Sequence, residues 1–196
     1  MNTLEKVYNQ AHKPERVKRI LDRLKSATGK IETIVGKVLD FSRSSQPEFV
    51  PANINNSIEK AISLFWATRQ KDGIEIKQDL TENLPLCRSD PNLFEQVLLN
   101  LITNAAEAMK NMDGTKMIGV SSSMERNRII VRVSDSGPGV PLKSSERIFD
   151  PFYTTKGEST GIGLSIAHRI IKDHGGSLDL STSKWGGAEF VIKIAI

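Results

Sequence analysis

Two carboxamides, Asn100 and Asn104, stand one helical turn apart in the stretch FEQVLLNLITNAAEAMK, residues 94–110. Residues at i and i+4 share a helical face, so both amides address one spot. Taken alone, the pair fits the wet side of a core helix as well as it fits a ligand site. Further on comes Asp135-Ser136-Gly137-Pro138-Gly139, directly after a β-rich run. Closely spaced glycines let the backbone approach a ligand. An aspartate beside them can accept a hydrogen bond from an exocyclic amine such as that of adenine, although DSGPG in isolation is an ordinary turn. A second glycine series, Gly157-Glu158-Ser159-Thr160-Gly161-Ile162-Gly163-Leu164, runs into a helical pattern. Backbone N–H groups and the helix dipole favour an anion at such an entry. The series is neither a Walker loop, which needs Gly-Lys-Ser/Thr, nor a dinucleotide fingerprint, which needs a strand directly before it. Lys156 just ahead of it is either a cation for a phosphate or a solvated surface lysine. Between the two glycine series lies IFDPFYTTK. Its Phe149 and Phe152 read as anchors of a mobile lid or as plain core packing.

These residues need elements to hold them. Val97, Leu98, Leu101, Ile102, Ala105 and Ala108 recur at helical spacing, so Asn100 and Asn104 ride on an amphipathic helix. Asp90-Pro91 supplies its start, Asp as N-cap and Pro at the first helical position. Another amphipathic helix opens at Asn53 and buries Ile58, Ala61, Ile62, Phe65 and Trp66. Alternation predicts strands at 74–78 and 84–87, a hairpin from 117–123 and 128–134, and strands at 177–182 and 188–196 around Gly186-Gly187. A short helix is expected at 141–148 and a clear one at 162–174, closed by Gly175-Gly176. Upstream, 14–43 reads as one long helix with two apolar seams. One is Val17, Leu21, Leu24, Thr28, Ile31, Val35 and Val38; the other is Ile20, Ala27, Ile34 and Phe41. That is too much apolar surface for a lone helix and suits a four-helix bundle made by two chains. The stretch SSQPEFVPA, 44–52, reads as a hinge-like linker. The class is α+β: a mixed β-sheet covered on one face by helices, preceded by a long helix of a dimeric bundle.

Composition narrows the function. No apolar run in the 196 residues approaches the roughly 20 that a membrane helix needs. The single Cys87 makes no internal disulfide and no metal cluster. The net charge of +4 is uneven: residues 1–43 carry ten Lys/Arg against five Asp/Glu, and the remainder 17 against 18. The basic arm has no aromatic interleaving and its charges fall on the wet face of a patterned helix, which argues against nucleic acid as a partner.

Taken in order, NLITNAAEA, DSGPG, IFDPF, TGIGLSIAHRII with HGG, and GGAEF resemble the N box, first glycine box, F box, second glycine box and terminal glycine turn of the ATP-binding domain of sensor histidine kinases. This is the Bergerat-type α/β sandwich shared with gyrase, the Hsp90 chaperones and MutL. The resemblance covers about residues 48–196, and the arm ending VLDFSR resembles the second helix of the family's dimerisation domain. FDPFYTTK and NAAEA look most like the nitrogen-regulation and dicarboxylate-sensing branch. The resemblance divides the chain into a partial dimerisation and phosphotransfer hairpin, 1–46, and an ATP-binding catalytic domain, 47–196. It implies that Asn100 and Asn104 hold Mg²⁺ and the phosphates of ATP, that Asp135 binds the adenine amine, and that Gly137 and Gly139 shape its pocket. It further implies that Gly161 and Gly163 hinge a lid over the phosphates, with Thr160 and Leu164 beside them and Lys156 near the γ-phosphate. Many kinases of the family have Lys three residues after the second Asn; here that residue is Glu107.

The resemblance also separates kinase from hydrolase. Related hydrolases carry Glu at the position of Asn100. Water and serine need a general base, which an amide cannot be, whereas neutral imidazole is already nucleophilic near pH 7. Asn100 therefore favours phosphoryl transfer to histidine over a gyrase- or Hsp90-like ATPase. A non-enzymatic nucleotide-binding dimerisation module is the other reading. In the family the acceptor histidine is followed by an acidic residue and then Pro-Leu. His12 is followed by Lys13-Pro14 and fits a turn, and His168 and His174 read as structural. The expectation is a piece that starts downstream of the acceptor motif and cannot autophosphorylate. It is expected to pair as a homodimer through 14–43, to serve a cognate response regulator, and to be the cytoplasmic part of a sensor attached to a membrane, if at all, by other segments.

Overall fold

The computed structural model describes residues 17–25, 28–29, 47–69, 73–155 and 159–196. The chain divides into two compact units, Met1–Ser44 and Ser45–Ile196. In the first, residues 17–25 are helical. Leu21 and Leu24 are more than half exposed within this one chain, and both belong to the first apolar seam. Val17, Ile20 and Thr28 of the seams are described as well. The seam residues from Ile31 onward, Ala27, the short helix expected before His12, and His12 itself lie outside the described residues.

The second unit runs β1 (Val50–Ala52), α1 (Ile54–Arg69), β2 (Ile74–Leu80), β3 (Cys87–Ser89), α2 (Pro91–Ala108), β4 (Lys116–Glu125), β5 (Arg128–Asp135), α3 (Leu142–Ser145), α4 (Gly163–Asp173), β6 (Ser177–Thr182) and β7 (Ala188–Ala195). Five strands form one sheet in the order β2-β4-β5-β7-β6. β2 pairs parallel with β4 and all other pairs are antiparallel. Helix α2 packs on β4 and β5 and between α1 and α4, so the helices cover one face of the mixed sheet, as expected.

Strand period two sorts the sheet's side chains. Ile118, Val120, Val131, Val133, Phe190 and Ile192 lie in register on the helix side and are almost fully buried. Against them α2 presents Val97, Leu98, Leu101 and Ile102, none with accessible surface. Burial of such side chains contributes roughly 1.5–3 kcal/mol each, which makes this layer the main support of α2. The opposite face carries Ser121, Arg132, Ser134, Glu189 and Lys193. Arg132 pairs with Glu125 at 2.8 Å and Lys193 with Asp179 at 2.9 Å.

Two local expectations need correction. The end of the linker is not irregular: Val50–Ala52 pairs antiparallel with Cys87–Ser89 as a separate two-stranded sheet. Pro51 is tolerated because a strand in a two-stranded sheet has an unpaired edge. The expected strand at 84–87 accordingly begins at Cys87. Trp66 is only half-buried, while its neighbour Phe65 is fully buried and meets it edge-on at 5.5 Å.

Candidate active site

Helix α2 is fixed at its entry. Asp90 Oδ1 accepts from the N–H groups of Asn92 (3.0 Å) and Leu93 (3.1 Å), and Pro91 takes the first helical position. Asp90 Oδ2 accepts from Glu48 N–H at 2.9 Å, and the Asp90 N–H donates to His174 Nε2 at 3.0 Å. His174 Nδ1 lies 2.7 Å from Ile170 O, so it is the donor nitrogen. Both nitrogens of this buried ring are thus used in holding the start of α2 to the end of α4. With its entry capped and one face in the core, α2 carries Asn100 and Asn104 half-buried on its remaining side.

Asp135 ends β5 on the helix side of the sheet and is 3% exposed. Its Oδ1 accepts from Gly137 N–H at 2.8 Å and from Ala188 N–H at 3.1 Å. The backbone crowds this group: a Cβ at Gly187 would collide with Asp135 Oδ1, and one at Gly139 would lie 3.3 Å from Gly186 O. The Gly137 loop also rests on α2, since a Cβ there would come within 3.4 Å of Met109 Cγ and 3.5 Å of Ala108 Cβ. Asp135, Gly137 and Gly139 are therefore brought to the C-terminal end of α2.

The second glycine series meets the same helix nearer its middle. A Cβ built on Gly163 would lie 3.6 Å from Asn100 Oδ1. Glycine at 163 thus keeps side-chain atoms out of the space between that amide and the first turn of α4. Unlike α2, α4 receives no hydrogen bond from a capping side chain: Ile162 stands at the cap. Among the described residues no side chain caps its first turn, and an uncapped helix entry favours an anion. Asn100 and Ala108 are separated by about 12 Å of helix at 1.5 Å per residue, comparable to the reach from a nucleotide base to its phosphates.

Gly161 has φ +66°, and a Cβ there would lie 2.6 Å from Phe152 C and Tyr153 O. Its carbonyl accepts from Phe152 N–H at 3.1 Å, closing the base of the 152–161 loop. Thr160 and Leu164 are half-buried beside it. Lys156, with Gly157 and Glu158, lies outside the described residues. Of the two aromatics expected to anchor this segment, only Phe149 does so. It stacks on His168 at 4.9 Å and meets Phe190 edge-on at 6.5 Å. Phe152 is 64% exposed with φ +65°, so it is not a core anchor. Burial, then the Lys172 charge, lower the His168 pKa below 6.5, with Asp179 opposing. Glu107 is half-buried on α2, one turn beyond Thr103.

Sequence reasoning placed GGAEF as a turn but missed what it does. The Ala188 N–H and the missing Cβ of Gly187 hold Asp135. The signal was the glycine pair immediately before a strand.

Residues 89–196 match the family model described as histidine kinase-, DNA gyrase B- and HSP90-like ATPase. The sensor histidine kinase ZraS of Salmonella typhimurium is 30% identical over 167 residues, 85% of this chain and 36% of that protein. The chain thus spans about a third of the length of this curated relative. The catalytic domain of the histidine kinase ThkA superimposes with a TM-score of 0.67 at 33% identity, covering 76% of this chain and 95% of that one. ThkA in complex with the response regulator TrrA gives 0.76 at 30% identity over 93% of this chain and 52% of that one. Full-length ShkA in complex with AMPPNP gives 0.76 at 25%, covering 90% and 38%. The chain belongs to the histidine kinase-, DNA gyrase B- and HSP90-like ATPase family. More particularly, its α/β sandwich is the ATP-binding catalytic domain of a sensor histidine kinase.

Proposed function

We propose that this domain binds Mg·ATP between α2, the Asp135 loop and the entry of α4, and transfers the γ-phosphoryl group to a histidine in two-component signalling. The observation that carries the reading is the two-ended site along one face of α2. A buried carboxylate sits at one end. At the other, a carboxamide faces an uncapped helix entry across a glycine.

Asp135 receives the adenine amine while Gly137 and Ala188 N–H groups hold its other lone pairs. Gly139 shapes the same pocket. Asn100 and Asn104 fit Mg²⁺, because this hard cation takes neutral oxygen donors and keeps phosphates and waters in its remaining positions. When bound it would neutralise charge on the phosphate oxygens. The space beside Gly163 admits those oxygens to the first-turn N–H groups of α4. By the resemblance, Gly161, Thr160 and Leu164 take the part of the lid hinge over the phosphates, and Lys156, outside the described residues, that of a cation for the γ-phosphate. None of these groups is a general base, so the domain's contribution is position and charge neutralisation for an imidazole that is already nucleophilic. Asn100 in place of a carboxylate speaks against rapid hydrolysis.

His174 is buried in the Asp90 network and His168 is stacked on Phe149, which supports an acceptor elsewhere than in this domain. The exposed Val17, Leu21 and Leu24 support pairing of two copies through the 14–43 helix. The complex of the related ThkA with TrrA supports a response regulator as the downstream partner. FDPFYTTK and NAAEA support the nitrogen-regulation and dicarboxylate-sensing branch. Among the described residues no helix is long and apolar enough to cross a membrane; the cytoplasmic site of action is proposed on the resemblance to sensor histidine kinases alone.

The test has two parts. Calorimetry should show Mg-dependent ATP binding that Asn104→Ala abolishes with little loss of fold. γ-Labelled ATP should give acid-labile label on an added helical hairpin bearing an acceptor histidine, and none on this chain alone. Unchanged Mg·ATP affinity in Asn104→Ala would refute the metal assignment. Rapid turnover of ATP to ADP without acceptor would replace the kinase reading with an ATPase.

A further inference from the structure

One of the two hydrogen bonds that set Asp135, that from Ala188 N–H, comes from the end of the β6–β7 turn, and that turn is held from the other side of the sheet. Ser183 N–H donates to Gly187 O and Gly186 N–H to Ser183 O, each at 2.9 Å. Trp185 N–H donates to Ser183 Oγ at 3.1 Å, and Ser183 is 4% exposed. The Trp185 side chain leaves the turn across the outer face. A Cβ built on Gly119 of β4 would lie 2.8 Å from Trp185 Cη2 and 3.0 Å from Cζ3. In the order β4-β5-β7 the indole therefore crosses β5, the strand that ends in Asp135, and seats on the strand beyond it. Gly119 pairs with Ser134, so the indole seats directly behind the residue that precedes Asp135. Glycine is otherwise a poor strand residue, and here its missing side chain is the seat.

We infer that Trp185 is a positioning residue for base recognition. Its indole, seated on Gly119, keeps the 183–187 turn closed, so that Gly187 packs on Asp135 and Ala188 N–H donates to it. The inference rests on the proposed reading of Asp135 as the adenine acceptor. Without the indole the turn can rise from the sheet, the Ala188 donor is lost, and the carboxylate is free to leave the orientation in which its second oxygen meets the base.

The test compares ATP with inorganic triphosphate, both with Mg²⁺, by calorimetry on the full chain. Trp185→Ala should weaken ATP about tenfold, the effect of roughly one charge-assisted hydrogen bond. Triphosphate affinity should stay unchanged, because it engages only the Asn100 and Gly163 end. Trp185→Phe should restore ATP binding to within about threefold, since a flat ring still seats on Gly119. Gly119→Ala, whose methyl must displace the indole, should reproduce the selective loss and serves if Trp185→Ala does not fold. Equal loss of both ligands, or unchanged ATP affinity in Trp185→Ala and Gly119→Ala while Asp135→Asn loses it, would overturn the inference alone. Unchanged ATP affinity in Asp135→Asn would instead overturn the reading of the base site on which it rests.

Discussion

Replacing Asp90 separates helix capping from nucleotide chemistry. Its carboxylate accepts from Asn92 and Leu93 N–H through one oxygen and from Glu48 N–H through the other. Asp90→Ala removes the cap, which costs about 0.5–2 kcal/mol. It also strips the partner from Glu48 N–H, a charge-assisted bond that contributes about 1.5–3 kcal/mol. The expected loss is therefore about 2–5 kcal/mol. Asp90→Asn keeps an equally good cap oxygen but turns an amide N–H₂ toward Glu48 N–H, so only the second contribution, about 1–2 kcal/mol after relaxation, is lost. The His174 bond uses the backbone N–H of residue 90 and survives both changes. Because Val97, Leu98, Leu101 and Ile102 fix the later turns of α2 in the core, Asn100 and Asn104 should stay in place. ATP affinity of the folded protein should then remain within about threefold of the parent, a difference under 1 kcal/mol. Urea unfolding followed by the emission of Trp66 and Trp185 measures the first effect and calorimetry the second. If Asp90→Ala falls within 0.5 kcal/mol of the parent, or Asp90→Asn proves as damaging as Asp90→Ala, the division of labour between the two carboxylate oxygens is wrong.

Gly161→Ala should destabilise the domain by about 3 kcal/mol, because a left-handed φ and contact with the Phe152 and Tyr153 backbone both penalise a Cβ; thermal unfolding reads it. Gly163→Ala should leave stability unchanged or slightly raised, since its Cβ would sit at ordinary contact distance from Asn100. It should nevertheless weaken Mg·ATP at least about tenfold by filling the proposed phosphate space. Equal ATP affinity there would remove that space from the site. For His168 the sign follows from its lowered pKa: the folded domain binds this proton less readily than the unfolded chain, so stability present above 6.5 is lost as the pH falls below it. Unfolding midpoints should drop between about pH 7.5 and about pH 5.5, and His168→Gln should flatten that drop.

Most of the fold was legible because local signals agreed with tertiary demand. Asp90-Pro91 marked the start of α2 to the residue, and the seam from Val97 to Ala105 identified its buried face. The β4–β5 hairpin and the β6–β7 pair followed from alternation. β1 was hidden because two prolines and small polar residues are the composition of a linker, and its three-residue pairing with β3 is a contact that no local pattern encodes. Phe152 misled for a related reason. A large apolar residue is usually inside, but here the hydrogen bond from its N–H to Gly161 O fixes the backbone at positive φ and leaves the ring outside.

The site was legible as a set of boxes and not as a set of contacts, and the difference has a physical consequence. Spacing brought out Asn100 and Asn104, because i, i+4 on one helix is local. The clamp on Asp135 joins residues 135, 137, 187 and 188 across two strands, so it appeared only in three dimensions. That clamp makes the base end rigid: a buried carboxylate, two donors of fixed backbone, and no room for a Cβ at Gly187. The proposed phosphate end is built differently, from an uncapped helix entry, a half-buried amide and the Phe152 N–H to Gly161 O hydrogen bond beside them. A rigid donor–acceptor set loses little freedom on binding, so under the proposed reading of Asp135 it would supply selectivity for the base. If the uncapped entry of α4 binds the phosphates as proposed, interactions completed only in the transition state would serve the transfer step instead of ground-state affinity. Changes at Gly187 or Trp185 should therefore appear as altered choice of nucleotide, and changes around Gly161 and Gly163 as altered transfer.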